Sequence, residues 1–231
     1  MLFERPNIKL PVGINAVTTT RLGGVSKGGF NSLNLGEHVG DDLSRVKVNR
    51  SRLRRSLNLP AEPCWLRQVH SDRIANSGEA DGSYSCCRGE VLCIQSADCL
   101  PILIWDESGK EIGAVHGGWR GLAKGIIARV VQCFDNSQLS AWIGPHVKAC
   151  HYEIDRKLYE IFSHFPGVLT EGSDDGHWQM SLAEVARQQL LEAGVGEIVE
   201  SGSCTACDEN RFFSFRRDGS CGRMATLIWM S

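Results

Sequence analysis

The spacing of hydrophobic positions predicts two kinds of element along this chain. Short runs that are apolar throughout or at every second residue, bounded by glycine, proline or charged residues, predict strands. Such runs cover residues 14–19, 65–70, 91–95, 102–105, 111–115, 141–143, 197–200, 212–215 and 224–230. The segment 106–109, which separates two of these runs, contains Ser108-Gly109 and predicts a β-hairpin turn.

Apolar residues three or four positions apart predict four helices. In the first, over residues 44–58, Val46, Leu53 and Leu57 form one stripe, and Ser44 or Asp42 is placed to cap the start. The other three cover residues 122–134, 155–162 and 181–193, and the last of them begins with the capping-box sequence Ser-Leu-Ala-Glu.

Strands and helices follow one another in irregular order, which predicts an α+β fold with mixed β-sheets instead of a doubly wound sheet. No internal repeat, low-complexity tract or linker divides the chain, so we expect a single domain over residues 1–231. Hydrophobic residues make up 42% and charged residues 23%, ordinary globular values that exclude disorder, collagen and coiled coil as descriptions of the whole chain.

The sequence predicts a cytoplasmic protein with no membrane partner. Its first residues contain no basic segment followed by an apolar run, so no secretory signal is expected. The longest apolar stretches, such as residues 99–105, are too short to cross a bilayer. In a reducing compartment the ten cysteines are expected to be free thiols or metal ligands.

Charge gives no general attraction to nucleic acid, because 25 basic residues face 27 acidic ones for a net charge of −2. One local basic run is either a phosphate-binding patch or a solvated helix face. It consists of Arg45, Lys47, Arg50, Arg52, Arg54 and Arg55. No aromatic residue interrupts it and the rest of the chain is acidic, which favours the solvated face and no nucleic-acid partner.

Reactive side chains concentrate in three short segments at or just after the ends of predicted strands. These are residues 68–70, 97–101 and 115–121. Together they supply the imidazoles of His70 and His116 and the thiol of Cys99, donors that zinc prefers. Three protein ligands leave a fourth position for water or substrate, as in catalytic zinc sites.

Each of these residues also has an ordinary structural interpretation. His70 would be a half-buried histidine bonded to backbone, Cys99 a small buried side chain, and His116 a residue that fills a tight turn. Their spacings match no compact zinc pattern. One detail favours metal over a free nucleophile: the carboxylate of Asp98 would raise the pKa of the neighbouring thiol, and zinc would offset this.

A second metal candidate is the Cys204-Thr-Ala-Cys207 motif, with Cys221 beyond it. One such motif without a matching pair is weak evidence, so ordinary thiols are the favoured interpretation. The adjacent Cys86 and Cys87 could add ligands, but nothing in the sequence brings them to the motif.

Ordered motifs over more than 200 residues resemble the YfiH family, also called laccase-domain or polyphenol-oxidase-like and, more recently, purine nucleoside phosphorylase. They are TTRLGGVS, NLGEHVGDD, Asn49-Arg50, QVHSD, ADG at 80–82, SADCLPILI, AVHGGWRGL, IGPHV, YEID and FFSFRR followed by GR. The resemblance implies a layered α/β/β/α fold and a zinc site made by His70, Cys99 and His116. The chain departs from the family pattern at Gly117, a change that we expect to leave the ligands undisturbed.

The resemblance also implies phosphorolysis of adenosine, inosine, guanosine and methylthioadenosine, together with adenosine deamination. Zinc would activate water for deamination, and Asp98 is the nearest carboxylate for proton transfer, so the catalytic candidates are Asp98 and the three ligands.

Phosphorolysis further needs a phosphate site. The first candidate cradle is Arg21 with Gly23, Gly24 and Ser26, and the second is Arg120. Asn34 is a candidate contact for ribose or base.

The leading hypothesis is therefore a monomeric zinc enzyme acting on purine nucleosides and phosphate. In one alternative, Cys99 is the nucleophile of an amide hydrolase, with His70 or His116 as base. This would suit the editing of peptidoglycan precursors, a further role that the resemblance implies. The other alternative is a copper-dependent polyphenol oxidase. It is disfavoured because the seven histidines include no His-x-His pair, so any copper is expected to be adventitious.

Overall fold

A computed structural model describes residues 2–135 and 138–231, and within them the chain forms thirteen strands and six α-helices. The strands are β1 (Phe3–Glu4), β2 (Ile14–Thr19), β3 (Cys64–Trp65), β4 (Gly82–Ser85), β5 (Val91–Ser96), β6 (Leu100–Asp106), β7 (Ile112–Gly117), β8 (Leu139–Ile143), β9 (Glu153–Ile154), β10 (Leu169–Glu171), β11 (Trp178–Met180), β12 (Val195–Glu200) and β13 (Met224–Met230). The helices are α1 (Leu43–Leu57), α2 (Trp119–Ala123), α3 (Ile126–Val131), α4 (Arg156–Phe162), α5 (Leu182–Glu192) and α6 (Phe215–Asp218).

Two five-stranded mixed sheets form the centre of the molecule. The first has the order β1-β2-β13-β5-β3 and the second β12-β8-β6-β7-β4, while β10, β11 and β9 make a small separate sheet. Large apolar side chains of both sheets, such as Ile94 of the first and Trp105 and Trp142 of the second, share one buried cluster. The two sheets therefore pack face to face, and burial of these side chains from water holds them together.

Helices cover the outer faces of both sheets. Leu53 of α1 joins a buried cluster with residues of β2, β5 and β13, whereas α3 and α5 join a cluster with β6, β7 and β8. The order helix, sheet, sheet, helix confirms the predicted α/β/β/α layers and the mixed α+β class. Helix α1 begins where expected because Asp42 accepts the backbone N–H of Ser44 at 2.8 Å, and it ends at Asn58 in the left-handed conformation.

Two of the predicted elements are wrong around the candidate ligands. The helix expected over residues 122–134 is two short helices, α2 and α3, because Gly125 between them has a φ of +76°. The strand expected over residues 65–70 ends at Trp65. Beyond it the chain turns so that successive backbone N–H groups point at the carboxylate of Asp81, and His70 adopts a φ of +57°. This turn brings His70 toward the second sheet.

The strand expected over residues 212–215 is also wrong. Phe212 and Phe213 are fully buried, but they lie in a loop whose carbonyl at Phe212 accepts the guanidinium of Arg217 at 3.0 Å. Ser214 then caps α6 by accepting the N–H of Arg217. Phe212 and Phe213 thus belong to a loop whose side chains are buried in the core, and they do not form a strand. No described helix is both long and apolar enough to pass through a bilayer.

Candidate active site

Three elements bring His70, Cys99 and His116 together. Strands β6 and β7 pair antiparallel, with Pro101 opposite His116, so Cys99 just before β6 lies beside His116. The turn after β3 adds His70, whose Nε2 is 3.7 Å from Cys99 Sγ. The three donor atoms lie within 4.8 Å of one another. One sulfur and two imidazole nitrogens at this separation fit a zinc ion with a vacant fourth position.

A buried carboxylate that the sequence analysis did not single out organises this cluster. Asp81, just before β4, is completely buried and its Oδ1 lies 2.8 Å from Nδ1 of His116. The same carboxylate accepts the backbone N–H groups of Val69, His70 and Ser71. Asp81 thus leaves Nε2 of His116 as the atom for a metal and fixes the turn that presents His70.

Mutual electrostatics favours charged forms within the cluster. Burial alone would raise the pKa of Cys99, but His116 and His70 outweigh it and lower this pKa to about 6. Burial opposes charge on His116 as well, but Cys99 and Asp81 raise the pKa of His116 to about 9. For Asp81, burial is outweighed by hydrogen bonds from His116 and Ser71, which hold its pKa well below the usual range. A thiolate, the form of cysteine that binds metals, is thus favoured at Cys99.

Gly118 lets the backbone pass directly over two ligands. A Cβ at this position would lie 2.7 Å from Cδ2 of His70 and 3.3 Å from Sγ of Cys99. Both distances are shorter than ordinary carbon contacts. Any side chain here would push against the cluster, so the glycine is needed for close approach.

The cluster opens into a cavity of about 600 Å³. Its lining combines aromatic and apolar side chains with several polar ones. They are His38, Gln68, His70, Gln95, Ser96, Ala97, Asp98, Cys99, His116, Trp119, Arg120, Val147, Tyr152, Leu182, Phe215, Arg216 and Arg223. A cavity of this size, mostly apolar with convergent polar groups, is typical of a small-molecule site.

Three arginines give the cavity a positive rim. Arg120 stacks over the indole of its neighbour Trp119 at 4.2 Å, and Arg216 lies over the ring of Tyr152 at 4.7 Å. Arg223 donates to the carbonyls of the two residues before it. Among the described residues, none of these three guanidinium groups forms an ion pair with an acid. Their charge is thus available to an anion in the cavity.

Asp98 lies in the cavity wall, but its carboxylate is already fully engaged. One oxygen accepts the hydroxyl of Thr205 at 2.6 Å and the other accepts the backbone N–H of Arg216 at 2.7 Å. Its backbone has a φ of +92°, and its carbonyl accepts the N–H of Val147. These bonds connect the segment before Cys99 to the loop at Thr205 and to the start of α6.

The residues of the first predicted phosphate cradle lie outside the cavity lining. The guanidinium of Arg21 donates to the carbonyls of Asn31 and Glu209, at 2.9 and 3.0 Å. A Cβ on Gly24 would lie 2.0 Å from the carbonyl oxygen of Ser32, so this glycine permits close contact between two segments of the same loop. Arg21 and Gly24 therefore hold together the glycine-rich loop, which covers residues 21–36.

Ser26 and Asn34 are likewise occupied within that loop. The hydroxyl of Ser26 donates to Asp41, and the amide of Asn34 donates to the same carboxylate at 2.9 Å. The side-chain oxygen of Asn34 accepts the backbone N–H of Arg223 at 2.9 Å. Asn34 thus braces the segment with the cavity arginine Arg223, while Arg120 is the predicted phosphate residue that lines the cavity itself.

The basic run on α1 belongs partly to the same bracing. Arg50 donates twice to the carbonyl of Leu35, pairs with Glu37 and stacks on Trp65. Arg52 donates to the carbonyl of Gly23. These two arginines therefore tie the helix to the glycine-rich loop.

Several residues that build this site went unrecognised in the sequence. Asp81 stands in the ADG motif, where an acid between two small residues was the only local signal. Arg216 and Arg223 lie in the last motifs quoted, but nothing local shows that they reach the cavity. A second donor cluster also appears, in which Cys204 and Cys207 lie beside Cys150 and His151. Cys221, by contrast, is buried against Arg223.

The chain is similar over nearly its whole length to known proteins of one family. The family model described as multi-copper polyphenol oxidoreductase laccase matches residues 15–231. Purine nucleoside phosphorylase YfiH of Escherichia coli K12 is 40% identical, with 97% of both chains covered. The purine nucleoside phosphorylase of Haemophilus influenzae is 37% identical with the same coverage.

Solved structures give the same picture for the fold. A Neisseria meningitidis protein of the DUF152 family superposes with a TM-score of 0.94 at 33% identity, covering 99% of both chains. YlmD of Geobacillus stearothermophilus superposes with a TM-score of 0.88 at 34% identity, covering 95% of this chain and 92% of its own.

Proposed function

Because this chain belongs to the YfiH family, which the laccase-type family model describes, we propose that it is a zinc-dependent purine nucleoside phosphorylase. The observation that favours this function most is the placement of the His70–Cys99–His116 cluster in a cavity rimmed by free arginines. A cluster of potential metal ligands alone would fit many reactions. Its combination with arginines that can bind an anion favours transfer of the ribosyl group to phosphate.

His70, Cys99 and His116 would hold the zinc, with Asp81 orienting His116. When bound, zinc would supply Lewis-acid polarisation of an oxygen at the vacant ligand position. The rest of the chemistry depends on the cavity residues. They must bind phosphate and nucleoside side by side and exclude competing water.

For phosphate, the arrangement favours Arg216, Arg120 and Arg223 over the cradle first expected in the glycine-rich loop. A guanidinium presents paired N–H donors to two phosphate oxygens. The cation–π contacts of Arg120 and Arg216 limit the conformations of both side chains before a ligand arrives. In the reaction a phosphate oxygen bonds to C1′ of ribose as the C1′–N9 bond breaks, and the purine leaves with the electron pair and takes up a proton.

For the nucleoside, the aromatic and amide part of the lining matches a purine. Trp119, Tyr152 and Phe215 offer faces on which a base can stack. Gln95 Oε1 and Ser96 Oγ are buried in the wall without a hydrogen-bond partner among the described residues. Such orphan atoms are costly unless a ligand or water satisfies them, and a purine edge supplies matching groups.

We propose a positioning role for Asp98, since both of its carboxylate oxygens already accept hydrogen bonds. It would fix the positions of Cys99 and of the first turn of α6 relative to the cavity. Adenosine deamination is proposed as a second activity of the same site, in which a water-derived oxygen replaces the 6-amino group and ammonia leaves.

The test is incubation of the purified enzyme with adenosine, inosine, guanosine or methylthioadenosine, with and without phosphate, followed by chromatography. Phosphate-dependent release of free base with one ribose 1-phosphate per base is the expected result. Inosine formed from adenosine without phosphate would reveal the deaminase activity. If neither base nor inosine forms with zinc-loaded protein, the proposed function is wrong.

The Cys99–His116 pair also favours a second candidate function. A low thiol pKa beside an imidazolium is the arrangement of a cysteine nucleophile, so amide hydrolysis on peptidoglycan precursors is the alternative. A covalent adduct on Cys99, found by peptide mass analysis with a slow amide substrate, would favour the hydrolase. Stoichiometric zinc at Cys99 would count against it. Copper at the same soft donors would be adventitious, as expected from general metal affinities.

A further inference from the structure

Four potential metal ligands outside the cavity lie together at the surface. They are Cys150 and His151, in a single 3-10 turn (Ala149–His151) after β8, and Cys204 and Cys207 in the loop after β12. Their donor atoms all lie within 4.8 Å of one another. We infer that these four residues form a second, structural zinc site of the Cys₃His type.

The distances agree with tetrahedral coordination. Zinc–sulfur bonds of about 2.3 Å and zinc–nitrogen bonds of about 2.05 Å at tetrahedral angles put two sulfurs about 3.8 Å apart and a sulfur and a nitrogen about 3.6 Å apart. Cys150 Sγ lies 3.9 Å from Cys204 Sγ and 3.7 Å from Cys207 Sγ. Nδ1 of His151 lies 3.2 Å from Cys150 Sγ and 3.4 Å from Cys207 Sγ. All four pairs fall within a few tenths of an ångström of the zinc geometry.

The backbone around Cys204 is also arranged for a metal-bound sulfur. Its Sγ accepts the N–H of Lys148 at 3.4 Å, and the N–H groups of Ala206 and Cys207 bond to the same sulfur. Several N–H donors to one sulfur stabilise negative charge there, as the surroundings of a ligating thiolate do. The Cys-x-x-Cys spacing produces this geometry, because it turns the backbone around the first sulfur.

A disulfide explains the cluster less well. A disulfide would bring two sulfurs to about 2.05 Å and leave the third sulfur and the imidazole without a role. Three sulfurs and one nitrogen that all lie within 4.8 Å of one another are instead what a single shared cation requires. Among the described cysteines, Cys64, Cys86, Cys87, Cys93, Cys133 and Cys221 lie outside both donor clusters.

The second site would brace one wall of the active cavity. Thr205, inside the Cys204–Cys207 motif, donates to Asp98, the neighbour of Cys99. Tyr152, immediately after His151, lines the cavity. A zinc ion that joined the two segments would therefore fix the wall at both points, in the manner of a structural metal.

The test is zinc analysis of purified protein by mass spectrometry, beside a substituted series. We expect two zinc ions per chain in the natural protein and one in the double variant C150S/C207S. We also expect one zinc ion per chain in C99A, and none in the triple variant C99A/C150S/C207S. The exposed pair C86S/C87S is the matched control and keeps two. Equal zinc contents in natural protein and C150S/C207S would overturn the inference.

A second measurement covers the case in which C150S/C207S does not fold. The variant C99A is stripped of zinc and reloaded with Co²⁺, leaving only the proposed site to bind it. Tetrahedral cobalt bands with strong sulfur-to-cobalt charge transfer are expected, at one cobalt per chain. Absence of these bands from folded C99A would overturn the inference. Because neither readout uses nucleosides, the result is independent of the proposed function.

Discussion

The two donor clusters of this molecule differ in number of ligands, in surroundings and in how they are built. The His70–Cys99–His116 cluster has three donors and faces a cavity of about 600 Å³. The Cys150–His151–Cys204–Cys207 cluster has four donors, three of them on exposed residues, and lies outside that cavity lining. Three donors leave a tetrahedral position for a reactant, whereas four fill it. The same metal would thus do chemistry at one place and hold chain segments together at the other.

The clusters also differ in the support around them. Pairing of β6 with β7 and a fully buried carboxylate, Asp81, hold the cavity cluster in place. Backbone N–H groups from short segments surround the sulfur of Cys204. The buried carboxylate fixes the first arrangement. At the second, a metal would add to the backbone hydrogen bond from Thr205 N–H to the carbonyl of His146, which already joins the two segments. Substitutions at the two clusters should therefore fail in different ways.

The largest expected effect is on catalysis at the cavity cluster. Cys99→Ala should lower kcat/KM for phosphorolysis by about 1,000-fold or more, because several kcal/mol of metal-derived stabilisation disappear. The chain should stay folded, because the β6–β7 pairing and Asp81 hold this region, while the thermal midpoint should fall through loss of a zinc ion that binds the folded state. Steady-state kinetics and calorimetry measure both quantities, with Cys86→Ser as control. Full activity in Cys99→Ala would show that the His70–Cys99–His116 cluster is not the catalytic metal site.

The next effect is on stability at the surface cluster. The C150S/C207S variant should lose about 4 kcal/mol of unfolding free energy, in the range associated with loss of a bound metal. Its kcat/KM should fall far less than that of Cys99→Ala, because no group that touches substrate is removed. Denaturant unfolding in the presence and absence of a chelator measures the change. A chelator that destabilises C150S/C207S as much as the natural protein would contradict the assignment.

A smaller effect is expected at the carboxylate behind His116. Asp81→Asn should weaken zinc binding at the cavity cluster and reduce kcat/KM, each by about 10- to 100-fold, as loss of an orienting partner does. Asp106→Asn is the matched control. That carboxylate is also buried, but it accepts the N–H groups of Lys110 and Glu111 in the hairpin. Equal losses of zinc affinity in both variants would show a general structural effect instead of orientation of His116.

The smallest effect distinguishes the arginines of the cavity from Arg21 in the glycine-rich loop. Arg216→Met should raise KM for phosphate about 10-fold with a smaller change in kcat, because one charged pair of hydrogen bonds is lost. Arg21→Met should leave KM for phosphate unchanged and lower the thermal midpoint, since Arg21 holds its own loop. The reverse pattern would restore the glycine-rich loop as the phosphate site.

Patterns among neighbouring residues predicted the central strands and the starts of two helices. Strands β2 and β13 have the bounds expected from their apolar runs, and Asp42 and Ser181 cap the helices that they were predicted to begin. Each of these features depends on neighbours in sequence, through alternation or an N-cap. The layered order came only from the family resemblance, because no local pattern states which sheet faces which.

The secondary-structure predictions were wrong where residues distant in sequence determine the backbone conformation. The turn at His70 depends on Asp81, and the loop at Phe212 depends on a guanidinium from Arg217. In the same way, the three candidate ligands and Arg120 could be named from their chemistry and the family motifs, but Arg216 and Arg223 could not. Arg216 and Arg223 reach the cavity only after the C-terminal segments have packed against it.

The contact of Gly118 with His70 and Cys99 narrows the routes by which this site could change. Enlarging position 118 by even one methyl group would shift a ligand, so new substrate preference cannot be selected there without losing the reactive centre. Variation in specificity should instead collect at Trp119 and Phe215, which border the cavity but belong neither to the donor cluster nor to the arginines proposed for phosphate. A library confined to those two positions would alter the proposed base-stacking faces while the donor cluster stays constant.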